Sequence, residues 1–145
     1  MLSKKVRKHL KYNEDDFIKY TLDFKKELRV FSASKELDLD SSFVEFMSTY
    51  DGEILGEEGM IINALNEYYD YEGSTTELLH EGYNVSKKYL SLFNTEVDDY
   101  LLYDTEADCV KLIEARNMKE LSNDEYYDIK WNSFNSFLEH FFELN

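Results

Sequence analysis

Thirty-one carboxylates in 145 residues dominate the chemistry this chain can offer. The most ordered spacing among them is Asp104-x-Glu106-x-Asp108, which begins like a calcium loop. Such a loop needs glycine at its sixth position for the turn and a bidentate glutamate at its twelfth. Cys109 and Ala115 stand there instead, so the spacing predicts an acidic hairpin loop and no ion site. Adjacent pairs such as Glu57-Glu58 and Asp98-Asp99 carry no acid–base signal without a cleft to hold them at a working separation. Nucleophilic catalysis finds little support, because Gly-x-Ser-x-Gly and the phosphate-binding glycine loop are both missing. The lone Cys109 falls inside a strand pattern, where a small buried hydrophobe is expected. His9, His80 and His140 are scattered, and His140 lies off the apolar stripe of its segment, as a surface histidine would. We therefore expect no catalytic residue, no metal and no cofactor.

Protein recognition is the chemistry left, and the residue types suit it. Residues 67–72 interleave Tyr68, Tyr69 and Tyr71 with Glu67, Asp70 and Glu72. A helix cannot bury three tyrosines so spaced on one side, and tyrosine offers large contact area with few rotors and a polar tip. The plainer reading makes most of them edge-of-core residues with wet hydroxyls. The candidate partner contacts are Glu57, Glu58, Tyr69, Asp70, Tyr71, Glu72, Glu96, Asp98, Asp99, Asp104, Glu106 and Asp108. Charge is unevenly divided: residues 1–35 hold ten Lys/Arg and five Asp/Glu, residues 36–145 six and twenty-six, within a total of −15. Such a field repels nucleic acid and anionic membrane and attracts a basic partner, although a solvated surface alone would have the same composition. One cysteine excludes an internal disulfide, and no apolar stretch has the length of a leader core or a span. These features lead us to expect a cytoplasmic protein of one domain over residues 1–145.

The elements that position these residues follow from periodicity. Alternation predicts strands at 89–93, 100–103 and 109–114, joined by short acidic loops as an antiparallel meander. Helical spacing predicts a helix over 14–31, with Phe17, Tyr20, Phe24, Leu28 and Phe31 on one stripe. Residues 1–12 form a basic arm or a short helix docked by Val6 and Leu10. Ser42-x-x-Glu45 has capping-box spacing and precedes Phe43, Phe46, Met47 and Tyr50, after which Gly52 takes a left-handed position at the helix end. Two short strands are expected within 53–63, then a helix over 64–71 and a helical piece around 76–81. Trp131, Phe134, Phe137, Leu138, Phe141 and Leu144 share one helical face and close the chain.

The order of these pieces resembles the SUKH superfamily, which includes yeast cell-wall-assembly regulators and many bacterial immunity proteins. The matching segments are 37–52, with Phe46, Tyr50 and Gly52 in an aromatic helix followed by Tyr-Asp-Gly, the strand pair within 89–113, and 131–138, with Trp131, Ser133, Phe134, Phe137 and Leu138 in a closing Ser-Phe-x-x-Phe-Leu helix. The resemblance implies an α+β fold with helices packed on one mixed, mostly antiparallel sheet. It further implies a non-enzymatic immunity protein that binds and neutralises a cognate toxin domain, a basic nuclease being one form. An intracellular scaffold of the same fold with an endogenous partner is the alternative. Whether the protein is a monomer or a homodimer stays open at this point.

Overall fold

The computed structural model describes residues 1–145. Six helices and eight strands follow in the order α1 (Lys4–Tyr12), β1 (Ile18–Lys19), α2 (Leu22–Ser34), α3 (Ser42–Thr49), β2 (Tyr50–Asp51), β3 (Ile54–Gly56), β4 (Gly59–Ile61), α4 (Ala64–Tyr69), α5 (Thr75–Gly82), β5 (Tyr89–Ser91), β6 (Tyr100–Asp104), β7 (Cys109–Ile113), β8 (Ile129–Trp131) and α6 (Phe134–Phe141). Short 3₁₀ turns at Glu14–Asp16 and Ala115–Glu120 complete the chain. The α+β class is as expected. The single mixed sheet is not: the strands form a β1–β2 pair, a β3–β4 hairpin and a four-stranded β5-β6-β7-β8 meander, and every pairing is antiparallel.

The meander has two unlike faces because side chains alternate along each strand. Leu90, Leu101, Tyr103, Val110 and Leu112 face the main core, where Phe43, Phe46, Phe134, Phe137 and Phe141 are almost wholly buried. Phe43 of α3 stacks flat on Tyr103 with ring centroids 3.9 Å apart, and Phe134 meets both rings edge-on. The opposite face carries a smaller cluster of Leu79, Val85, Tyr89, Leu102, Ile113 and Leu121. Lys111 is buried among these strands, its ammonium 4.3 Å from the Tyr89 ring centroid. It donates to the carbonyls of Asp124 and Tyr126, so the 121–128 segment is tied over this face.

Several local expectations change. The helix over 14–31 begins only at Leu22, because Thr21 caps it by accepting from the Phe24 N–H. Ile18 and Lys19 are extended and pair with Asp51 and Tyr50, although Phe17 and Tyr20 still pack against the core. No capping box forms at Ser42: Ser41 is the N-cap, Ser42 is buried in the first turn, and the Glu45 carboxylate accepts from the Leu2 N–H. Trp131 is not helical. It pairs with Val110 in β8, and Ser133 then caps α6 at Phe134. The Trp131 ring nevertheless packs on Phe137 from the strand. Leu144 lies beyond the helix, where its N–H returns to the Glu139 carbonyl and Glu143 takes a positive φ. Gly52 has the expected left-handed backbone (φ +82) but follows β2, not the last turn of α3.

Candidate protein-binding site

The residues singled out for a partner are distributed over four separate places. The first is the connection from β5 to β6. Here Asn94 accepts from the Glu96 N–H at 2.9 Å and shapes the turn, while Asp99 accepts from the Ala115 N–H at 2.9 Å and anchors it. Glu96 and Asp98 point into solvent. Beside them lies a hollow of about 240 Å³ between this loop and the outer face of α5, lined by Leu78, Tyr83, Val97, Asp98, Asp99 and Tyr100 among others, with no lysine, arginine or histidine in its wall. Leu78 is 45% exposed and Tyr83 39% exposed, so two apolar surfaces stand open next to carboxylates. The Tyr100 hydroxyl is pushed above the usual phenol range, chiefly by burial and then by Tyr83, Asp98 and Asp99.

The second place is the β6–β7 turn, at the far end of the same strands. Because Tyr100 opens β6 and Asp104 closes it, the two acidic loops are separated by roughly 13 Å along the strand. They form no continuous patch. Asp104 is buried and holds the turn together by accepting from the N–H groups of Glu106 and Ala107, with Lys88 3.6 Å away. Asp108 accepts from the Tyr103 hydroxyl at 2.8 Å, and burial raises its carboxyl above the usual range. Asp108 and exposed Glu106 line a groove of about 350 Å³ together with Asp38 and Asp40. The calcium-like spacing of 104–108 therefore serves backbone and phenol, and no group of three or more His, Cys, Asp or Glu side chains is placed to hold a metal ion.

Third, the tyrosine run separates from its acids. Tyr69 donates to Glu27 at 3.0 Å, the Tyr71 hydroxyl lies 2.9 Å from His80 Nδ1, and Tyr68 packs edge-on against Phe31. These rings surround a hollow of about 370 Å³ that Lys35 and Lys87 also line. Asp70 and Glu72 stay exposed in the link to α5.

Fourth, the β3–β4 hairpin lies across the end of α6. Glu57 is exposed, and its N–H donates to the Phe141 carbonyl at 2.8 Å. Glu58 turns inward to His140 Nδ1 at 2.6 Å, leaving its side chain 8% exposed and one oxygen without a partner. Burial raises the Glu58 carboxyl, with His140 opposing that shift. Glu58 joins hairpin to helix, where a surface contact was expected.

The first place sets predicted acids and open aromatic and aliphatic surface around one hollow. Leu78, Tyr83 and Tyr100 were not singled out from the sequence. A signal for one of them existed: Leu78 and Leu79 are adjacent, so a helix must turn one outward, and Leu79 is the buried one. Compared with known protein families, curated proteins and solved structures, the chain matches none.

Proposed function

We propose that this chain is an immunity-type binding protein, similar in kind to the SUKH proteins, that captures a basic toxin domain stoichiometrically and performs no reaction itself. The observation that carries this reading is the acidic hollow beside α5. Its volume of about 240 Å³ is below the ~300 Å³ at which small-molecule sites begin, and it suits one inserted side chain of a larger partner. An arginine or lysine of that partner meets Asp98 and Asp99 at the rim, while Leu78 and Tyr83 supply apolar contact that excludes water. The net charge of −15 steers a basic domain toward the protein and accelerates encounter.

The test is co-expression with the C-terminal domain of any multidomain toxin that proves to be encoded beside this gene. Rescue of growth together with co-purification at one-to-one stoichiometry is the expected result. Rescue that survives Asp98→Asn with Tyr83→Ala unchanged would place the interface elsewhere. Absence of both rescue and complex would end the immunity reading.

A further inference from the structure

One concave site on this acidic protein is basic. It is a cleft of about 460 Å³ where α1, β1, α2 and α3 converge. Arg7 and Lys11 enter from α1, Lys19 from β1 and Lys25 from α2, facing Glu14 and Glu45. Four cations against two carboxylates leave an excess of positive charge in a molecule whose total is −15.

The cations differ in what they already hold. Arg7 is committed within the protein, donating to the Leu2 carbonyl at 3.0 Å and to Glu45 at 3.4 Å. Lys11, Lys19 and Lys25 make no ion pair, in a protein with almost twice as many acids as bases. Lys25 is positioned by a neutral group: its ammonium donates to the Thr49 hydroxyl at 3.0 Å, and that hydroxyl donates to the Glu45 carbonyl at 2.7 Å. Lys11 and Lys19 stand in solvent and Lys25 is half-buried, so an anion seated between them would be attracted by all three charges. Leu2, Leu10 and Tyr50 form an apolar wall beside the lysines.

We infer that this cleft binds a phosphate-bearing small molecule, with Lys11, Lys19 and Lys25 gripping a diphosphate-sized anion and the Leu2–Leu10–Tyr50 wall receiving the organic group attached to it. Lysine suits this role because its ammonium is a compact point charge that adapts to several phosphate oxygens. The volume lies within the usual range of small-ligand pockets. The site is independent of the acidic hollow beside α5.

The experiment is a calorimetric titration of the full chain with sodium pyrophosphate, repeated with sodium succinate at equal ionic strength. Amide shifts in the NMR spectrum locate the site. Saturable pyrophosphate binding is expected, with shifts confined to residues 2–25 and 45–50. The Lys11→Gln/Lys19→Gln/Lys25→Gln variant should weaken it at least about ten-fold. Lys5→Gln/Lys8→Gln removes charge from the neighbouring groove on α1 and should leave the affinity unchanged. Failure to saturate, or equal weakening by both variants, overturns the proposal, because diffuse attraction would then explain any heat. Succinate binding as tightly as pyrophosphate overturns the phosphate class.

Discussion

Glu58 Oε2 lies 2.6 Å from Nδ1 of His140, and the glutamate is the buried member while the histidine stays half-exposed. This contact, the Glu57 N–H bond to the Phe141 carbonyl and the approach of Gly56 to the Phe141 ring clamp the β3–β4 hairpin onto α6. Burial raises the Glu58 carboxyl in the folded protein above its ordinary value. A raised carboxyl contributes its stability below the unfolded pKa and loses it as pH rises through the folded one. The Glu58→Gln variant should therefore gain on the wild type as pH is raised from the ordinary glutamate range towards neutrality. Urea unfolding of both proteins across that interval reads the difference, and a difference that does not change with pH would contradict it.

The Phe43–Tyr103 stack joins α3 to the centre of the meander. Phe43→Ala should cost about 3–5 kcal/mol, the usual loss for truncating a buried phenylalanine. Tyr103→Phe removes only the 2.8 Å hydrogen bond to Asp108 and should cost about 1.5–3 kcal/mol, since the acceptor is a carboxylate. Denaturant midpoints measure both.

Two glycines should respond differently to alanine. At Gly56 an added Cβ would lie 2.5 Å from the Phe141 ring carbons, so Gly56→Ala should cost about 1–3 kcal/mol through overpacking. It should also speed amide exchange at Glu57, whose bond to Phe141 would be strained. At Gly52 the added carbon meets nothing within 4 Å, and only the φ of +82 resists it. Gly52→Ala should cost about 1 kcal/mol and leave exchange at Glu57 unaltered.

For the proposed toxin complex, charge and contact should separate kinetically. Asp98→Asn should slow association and flatten its salt dependence with little change in dissociation. Tyr83→Ala should instead raise the dissociation rate by roughly ten-fold or more, as loss of an aromatic anchor does. Surface plasmon resonance at two salt concentrations separates the two effects. An association rate indifferent to salt would remove the electrostatic part of the reading.

Much of the fold was legible where burial repeats along the chain. The meander at 89–113, the β3–β4 hairpin and helices α3 to α6 match their alternation or helical spacing within a few residues. Two elements were misread, each for a definite reason. In 14–31 the apolar stripe is real, but Phe17 and Tyr20 reach the core from extended backbone, because pairing with Tyr50 and Asp51 outweighs local helical spacing. Trp131 shares the spacing of Phe134 and Phe137 yet belongs to β8, since the open edge of β7 offers ladder bonds that a helix there would leave unmade.

By itself the sequence determined the acidic field, the α+β character and which aromatic rings are needed for a core, because these depend on composition and on short-range periodicity. Only the tertiary structure decided which acids are free to meet a partner. Asp104, Asp108 and Glu58 are drawn to a turn, a phenol and a histidine, while Asp98 is left in the open beside Leu78 and Tyr83. The physical reason is that a carboxylate's role depends on the donors brought within about 3 Å of it, and those donors come from residues far away along the chain.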